Sequence, residues 1–381
     1  MEALFSNIIN TFGSSANAIL FLKQLGMMAI GGVLIFLAIK KQMEPTLLLP
    51  MGFGAILMNI PAPEGEGIGE TIKILYNAGI ANELFPLLLF IGIGAMIDFG
   101  PILSNPKLMI FGAAAQFGIF MTFSLASIFF PLNEAASIAI IGAADGPTSI
   151  VVATELQSTL IGAITVAAYS YMALVPVVQP PIIKLITTQK ERKIKMQYKP
   201  SQVTKLTKIL FPILVTIIAG LFAPGAAALV GFLMFGNLIR ECCVLDSLSD
   251  TAQKVLANLI TLLLGITVAF QMKAENFLNL ATILVLGLGL FAFVFDTIGG
   301  VLIAKLFNVF LPEGKKINPM IGAAGISAFP MSARIVHKMG QDEDKQNFLL
   351  MHAVGANVSG QIASVIAGGL ILNFAPFPLI F

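Results

Sequence analysis

The sequence predicts an all-α polytopic membrane protein made of two inverted-topology repeats, with about 10–11 spans. Of its 381 residues, 57% are hydrophobic and 11% are charged, whereas a soluble domain carries about 25% charged residues. The apolar blocks are about 15–25 residues long without strict alternation, which favours membrane helices over barrel strands. The segment Ile-Gly-Ala-Ala also occurs twice, at Ile141–Ala144 and Ile321–Ala324.

Both copies lie in apolar stretches rich in Gly, Ala, Ser and Pro, at about 136–154 and 317–333. The first copy runs into Asp145, Gly146 and Pro147. A carboxylate and irregular backbone are tolerated at membrane depth only where protein or a water-filled cavity surrounds them. Each stretch therefore predicts a broken, re-entrant helical hairpin, and two such breaks at matching places indicate a transport site.

Further matches between the halves occur in the same order at an offset of about 180 residues, which is typical of an internal repeat. Among them, Gln116 falls opposite Asp296. A polar, mostly basic stretch divides the chain. We therefore predict a first membrane repeat at 1–189, a cytosolic basic linker at 190–207 and a second membrane repeat at 208–381.

The distribution of charge predicts the orientation, because basic loops stay in the cytosol. The basic positions placed there are Lys40, Lys41, Lys107, the 190–199 stretch, Arg240, Lys315, Lys316, Arg334 and Lys338. The loop expected outside holds Glu64, Glu66, Glu70 and Glu83. An odd number of crossings per half then inverts the second repeat, so the first hairpin enters from outside and the second from the cytosol.

Asp145 is the strongest candidate for ion binding. A carboxylate there costs a few kcal/mol unless it is paired or hydrated, and sodium is a hard cation that prefers oxygen ligands. Gly146 and Pro147 interrupt the helical hydrogen bonds and leave carbonyls available. The same residues also suit a helix start, with Asp145 as its cap, and both interpretations stay open.

Other polar groups surround the second break and the following helix. Asn318 and Ser327 bracket the break as oxygen donors, or cap a helix and bond their own backbone. Tyr171 can donate a proton or sit at the membrane interface. Arg334 suits recognition of a carboxylate, or serves as a positive-inside anchor.

The last span carries a polar stripe of Asn357, Ser359, Gln361 and Ser364, which completes an ion cage or bonds neighbouring helices. Asp296 is a second carboxylate at depth, suited to an ion or proton relay or to an interhelical bond. A phosphate loop of the Gly-x-x-x-x-Gly-Lys-Ser/Thr type is absent from the sequence, which excludes ATP hydrolysis by that route. The net charge of +2 does not favour a nucleic-acid partner.

The motifs at Gly142–Thr148, Asn318–Ala328 and Asn347–Asn357 strongly resemble those of one family, over nearly the whole chain. This is the membrane-embedded beta subunit of the biotin-dependent, sodium-pumping decarboxylases, which act on oxaloacetate, methylmalonyl-CoA or glutaconyl-CoA. The resemblance implies a multi-pass protein of the bacterial inner membrane. It also implies a translocase that decarboxylates carboxybiotin and couples this to outward sodium transport with proton consumption.

Roles for individual residues follow from the resemblance. It implies that sodium is bound by Asp145, Asn318, Gly322, Ser327 and Asn357. Tyr171 is implied to couple proton and sodium, and Arg334 to meet carboxybiotin, so that Asp145, Tyr171 and Arg334 form the catalytic set.

The resemblance also implies partners. These are a biotin carrier protein that brings carboxybiotin, a carboxyltransferase alpha subunit, a small single-span membrane subunit and two further beta subunits in a homotrimer. From the residues alone, a secondary sodium/proton antiporter or a sodium-coupled organic-anion transporter fits inverted repeats with hairpins equally well.

Overall fold

A computed structural model describes residues 15–42, 45–61, 68–196 and 203–374, and all regular secondary structure in these ranges is helical. The first half contains α1 (Ser15–Lys41), α2 (Pro45–Met58), α3 (Ile68–Gly79), α4 (Leu84–Met96), α5 (Gly100–Ser104), α6 (Met109–Ala114), α7 (Phe117–Ala126), α8 (Leu132–Ala139), α9 (Gly146–Glu155) and α10 (Ile161–Ile186).

A short helix, α11 (Gln189–Arg192), follows in the predicted linker. The second half contains α12 (Lys205–Phe222), α13 (Ala227–Glu241), α14 (Asp246–Asp250), α15 (Ala257–Val268), α16 (Ala274–Phe277), α17 (Leu280–Phe310), α18 (Met320–Ala323), α19 (Met331–Glu343) and α20 (Leu350–Phe374).

Six helical stretches in the described residues are long and apolar enough to cross a membrane, or up to eight if each of two bent pairs is one span. The six are Ala18–Lys41, Pro106–Ala126, Lys205–Phe222, Asp246–Met272, Leu280–Phe310 and Leu350–Leu372. The sequence predicts 10–11 spans, and the difference arises because other apolar helices, such as Pro45–Met58 and Leu132–Ala143, are short. The all-helical, multi-span architecture is confirmed.

Large apolar side chains cover the outward faces of these helices. On α12, for example, Leu221 and Phe222 are 75% and 80% exposed, which suits a helix that faces lipid. With no hydrophobic drive between helices in lipid, close backbone packing at small residues holds the bundle together. Gly236 on α13 lies directly against the carbonyl of Ile91 on α4, and this contact joins the two halves.

The described part of the predicted linker is fastened to the second half. Thr188 and Glu191 form a capping box at the start of α11. Arg192 Nε lies 2.6 Å from Glu343 Oε1, and this hydrogen bond holds the pKa of Glu343 below its usual value. Lys195 Nζ lies 2.9 Å from Asp344 Oδ2. Lys199 of the basic stretch, like Glu64 and Glu66 of the acidic loop, lies outside the described residues.

Candidate functional site

The first broken stretch is interrupted at Ala144 and Asp145. Helix α8 continues as a 3₁₀ turn to Ala143, and Ala144 then adopts a left-handed conformation with φ 51°. Asp145 is the N-cap residue of α9, which starts with Gly146 and Pro147. Proline lacks an N–H and suits the first turn of a helix, so this sequence ends one helix and starts the next. The predicted break is present, and Asp145 stands at the N-cap position of α9 without a capping hydrogen bond from its side chain.

The start of α8 and the chain after α9, both remote from the break, are joined by hydrogen bonds to Glu134. Its carboxylate accepts hydrogen bonds from the Thr159 amide at 2.8 Å, the Thr159 hydroxyl at 2.7 Å and the Ser158 hydroxyl at 2.5 Å. Glu134 is buried, and these donors compensate its charge where water is excluded. The stretch from Leu132 to Ser158 therefore returns to the place where it began.

The second broken stretch is interrupted between α18 and α19. The chain from Ala324 to Pro330 has no helical structure, and the Phe329–Pro330 peptide bond is cis. Helix α19 begins at Met331. Gly322 of α18 lies directly against the carbonyl of Gly300 on α17, a contact that only a residue without a side chain permits. The interruption predicted at 317–333 is therefore present.

The two interruptions meet, and α20 links them. The Ser327 hydroxyl donates to the Ala143 carbonyl, directly beside the first interruption. On α20, Asn357 Nδ2 donates to the Ile326 carbonyl at 2.6 Å, and Gln361 Nε2 donates to the Ser327 carbonyl. One turn further, the Ser364 hydroxyl lies 3.3 Å from Asp145 Oδ2. Three of the four residues of the predicted polar stripe thus face the junction.

Asp145 sits at this junction with neutral partners. Its side chain is buried and accepts a hydrogen bond of 2.6 Å from the Thr148 hydroxyl, in addition to the contact with Ser364. Within the part of the chain that the structure describes, it forms no ion pair. An ionised carboxylate in such a place needs a cation or a proton.

Oxygen atoms suited to a cation lie on the same elements. The side-chain oxygens Asn357 Oδ1 and Gln361 Oε1 are buried and accept no hydrogen bond from any described residue. Both amide nitrogens point at carbonyls of the second interruption, which turns the oxygens away from it. A carboxylate with amide and hydroxyl oxygens is the ligand type that hard cations prefer. Clusters of three or more His, Cys, Asp or Glu side chains, by contrast, are absent from the described residues.

The two tyrosines of α10 face different neighbours. The hydroxyl of Tyr171, the residue singled out from the sequence, donates to the Leu286 carbonyl on α17. The ring of Tyr169 lies directly against Gly146, next to Asp145, and its buried hydroxyl finds no hydrogen-bond partner in the described chain. Residues two apart on a helix point in nearly opposite directions, so only one of this pair can face Asp145.

Thr148 and Ser364 are the described residues whose side chains hydrogen-bond to the Asp145 carboxylate, and Asn318, Gly322 and Arg334 are not among them. Asn318 Nδ2 donates to the carbonyls of Arg192 and Ile194 at 2.8 and 2.9 Å, and its Oδ1 accepts from the Met320 amide. Arg334 is exposed in the first turn of α19 and forms no ion pair with the described residues.

Sequence reasoning missed Thr148 and Tyr169. Thr148 stands three residues after a helix-capping aspartate, the position where side chains fold back on the cap, so this spacing was a usable signal. Tyr169 had no such signal, because the choice between two tyrosines two residues apart depends on the rotation of α10 about its axis.

Comparison with known proteins yields one family. The model of the "Na+-transporting oxaloacetate decarboxylase beta subunit" matches residues 23–375. A methylmalonyl-CoA decarboxylase subunit beta of Veillonella parvula is 48% identical over 380 residues, covering 98% of each chain.

Two relatives named for other substrates are similarly close. The glutaconyl-CoA decarboxylase subunit beta of Acidaminococcus fermentans is 49% identical, covering 91% of this chain and 92% of its own. The oxaloacetate decarboxylase beta chain of Klebsiella pneumoniae is 43% identical, covering 91% and 94%. With its apolar helices and these relatives, the protein is a multi-pass membrane protein that belongs to the family of the Na⁺-transporting oxaloacetate decarboxylase beta subunits.

Proposed function

We propose that this chain decarboxylates carboxybiotin and couples that reaction to outward sodium transport with consumption of a proton. The observation that carries the proposal is the junction at Asp145, where two interrupted segments and α20 surround a buried carboxylate that lacks a cationic partner among the described residues. The relatives are named for three different acids at 43–49% identity. Such similarity supports a membrane step common to all of them, with the acid-specific chemistry on another subunit.

In this proposal Asp145, Ser327 and Asn357 hold the sodium ion, together with the free oxygens of Gln361 and Tyr169. Asn318 and Gly322 stay predicted ligands. Their observed contacts favour a positioning role, because Asn318 fastens the second segment to the linker and Gly322 seats it on α17.

The membrane topology is part of the same proposal. The first segment is re-entrant from outside and the second from the cytosol, and 1–189 and 208–381 are inverted repeats joined by 190–207. The tie at Glu134 supports a hairpin whose two ends lie on one side. Ser364 is 14 residues (364 − 350) into α20, or about 21 Å along it, which supports a site near the middle of the bilayer.

Carboxybiotin would reach the site from the cytosol. Arg334, exposed and without an ion pair among the described residues, can meet its carboxylate as a bidentate donor. A dry site disfavours solvation of that charge and helps CO₂ to leave. Tyr171 is proposed to couple the proton to sodium.

Decarboxylation then supplies the work of transport. Moving one charge against 100 mV requires about 2.3 kcal/mol, and a tenfold sodium gradient adds about 1.4 kcal/mol. The partners proposed are a biotin carrier protein, a carboxyltransferase alpha subunit and a small single-span membrane subunit, with three copies of this chain in the complex.

The test uses the avidin-purified complex in vesicles, assayed with oxaloacetate, methylmalonyl-CoA and glutaconyl-CoA. One of the acids should drive sodium uptake together with CO₂ release, and Asp145→Asn should abolish both. The exposed Asp246 provides a matched control, since Asp246→Asn should change neither. Sodium-dependent decarboxylation that persists in Asp145→Asn would refute the assignment. A chain that purifies without any biotinylated protein and exchanges sodium for protons would instead be a secondary antiporter.

A further inference from the structure

Another buried carboxylate lies against the first interrupted segment. Asp296 is fully buried on α17, and it is the seventeenth residue of that 31-residue helix (296 − 280 + 1). It therefore lies about 24 Å from the start of a helix about 46 Å long. This places Asp296 at about the middle of the span, a depth at which a carboxylate is costly unless its charge is compensated.

One oxygen of Asp296 is bonded and the other is not. Oδ1 accepts the Gly118 amide at 2.6 Å, in the first turn of α7. Oδ2 is buried and accepts no hydrogen bond from the described residues. The start of α7 explains why Oδ1 is bonded there, since the partial positive charge of a helix N-terminus favours an acidic group. The helix start does not explain why Oδ2 is buried without a hydrogen-bond donor among the described residues.

The unbonded oxygen points at Gly142 of the first interrupted segment. A Cβ at Gly142 would lie 2.8 Å from Oδ2, so glycine is needed there to admit the carboxylate. The other groups nearest that position are apolar, Ala292 Cβ and Ile119 Cγ1 at 3.0 and 3.3 Å. Sodium needs several converging oxygens, whereas the nearest neighbours at Gly142, apart from Oδ2, are carbon atoms. A proton needs only one free lone pair.

The charged and titratable groups on the surrounding elements lie against other parts of the chain. Asp145 is bonded to Thr148 and Ser364, and the ring of Tyr169, whose hydroxyl has no partner among the described residues, lies against Gly146. From α8, Glu134 is bonded to Ser158 and Thr159. From α10, Tyr171 donates to the Leu286 carbonyl. The side facing α7 presents the backbone amides of Gly118 and Ile119, and the ion pairs between described residues do not include Asp296. Nothing in the described chain therefore neutralises the Asp296 carboxylate.

We propose that Asp296 is a proton-binding site distinct from the sodium site, and that it carries the proton which moves opposite to sodium. Gly142 and Asp145 are three residues apart on one interrupted segment. A proton at Asp296 on α17 and a sodium ion at Asp145, which α20 contacts through Ser364, thus lie against the same short stretch of backbone. This inference rests on the proposed sodium transport for the direction of the proton, but the presence of the proton site does not depend on it.

The test is infrared difference spectroscopy of the purified complex, which records the carbonyl stretch of protonated carboxylic acids. Wild type at neutral pH should show such a band, with a shift in D₂O. The band should vanish in Asp296→Asn, and it should remain in Asp145→Asn and in Asp250→Asn, a control at an exposed aspartate. Sodium should alter the band in wild type but not in Asp145→Asn.

The contrary outcomes are equally defined. A wild type without the band, or a band that survives in Asp296→Asn, overturns the proposal. If Asp296→Asn does not fold, Gly142→Ala keeps the acid but presses a methyl group on Oδ2, and an unchanged band in that variant also overturns it. In vesicles, Asp296→Asn should reduce the proton uptake per sodium ion to background. A band that behaves as expected while Asp145→Asn retains sodium uptake would refute the proposed function and leave the proton site standing.

Discussion

The Ser327 hydroxyl donates a hydrogen bond to the Ala143 carbonyl, so the two interrupted segments touch directly at their breaks. The residues are 184 positions apart in the chain, and each follows the Ile-Gly-Ala-Ala element or lies within it. The backbone beside Asp145 is therefore linked to the second segment by a direct hydrogen bond.

Removing the Ser364 hydroxyl should weaken sodium binding. The hydroxyl lies 3.3 Å from Asp145 Oδ2 and 3.0 Å from the Gln361 carbonyl, so its proton is shared between the two acceptors. A hydrogen bond to a charged group contributes about 1.5 kcal/mol or more, which corresponds to roughly tenfold in affinity. Ser364→Ala should raise the half-saturating sodium concentration for CO₂ release by about that factor. Ser359→Ala is the matched control, since the Ser359 hydroxyl bonds to the Ala356 and Leu108 carbonyls instead. Equal effects of the two variants would contradict the site.

The two tyrosines of α10 should respond differently to loss of their hydroxyls. Tyr169→Phe keeps the ring on Gly146 but removes the free hydroxyl beside Asp145, so the half-saturating sodium concentration should rise several-fold. Tyr171→Phe removes the bond to Leu286 and should lower the sodium transported per CO₂ with little change in sodium affinity. Parallel measurements of CO₂ release and sodium uptake in vesicles separate these effects. A change of sodium affinity in Tyr171→Phe alone would favour Tyr171 as the ligand.

A methyl group at Gly322 should destabilise the packing of the second segment on α17. Its Cβ would overlap the Gly300 carbonyl on α17, and overpacking of this kind costs about 1–3 kcal/mol. Gly322→Ala should lower the thermal unfolding temperature of the detergent-purified complex by several degrees and reduce sodium transport. Gly287 lies on α17, like Gly300, but has open space around it, so Gly287→Ala should leave the unfolding temperature and sodium transport unchanged. A stable and active Gly322→Ala would show that the close contact is dispensable.

The ion pair that fastens the linker should make stability depend on pH. Hydrogen bonding to Arg192 lowers the pKa of Glu343 from its usual 4.5. A carboxylate whose pKa is lower in the folded state contributes stability above the unfolded pKa, and this is lost as pH falls through the folded value. Glu343→Gln should therefore lower the unfolding temperature at neutral pH, and the difference from wild type should shrink below pH 4.5. A difference that is constant across this range would exclude the charge as its cause.

Much of the site was predictable, because its chemistry is unusual for its surroundings. Gly146 and Pro147 after Asp145 predict a helix break in apolar sequence, where a carboxylate is costly to bury. The structure has a buried carboxylate at that break. Asn357 and Gln361 recur at helical spacing, and both side chains do face the second interruption. Local sequence carries this information because backbone breaks and helix faces depend on neighbouring residues.

Other parts depended on long-range packing. The role of Asn318 as a sodium ligand stays a prediction. That its amide group bonds to the linker was not predictable, because the path of residues 187–196 over the second half is not encoded near Asn318. Asp296 was recognisable as a carboxylate at depth. That its free oxygen points at Gly142 depends on how α17 lies against α7 and the 3₁₀ turn.

The amino-acid sequence by itself determined that this is a helical membrane protein with two interruptions and a carboxylate at the first. Polarity and backbone propensity act locally and leave their mark in composition and spacing. Only the tertiary structure decided that Ser327 meets Ala143, that Tyr169 rather than Tyr171 lies beside Asp145, and that Asp296 lies against Gly142. These contacts depend on the rotation and depth of whole helices, which are set by the sum of many small packing interactions across the bundle.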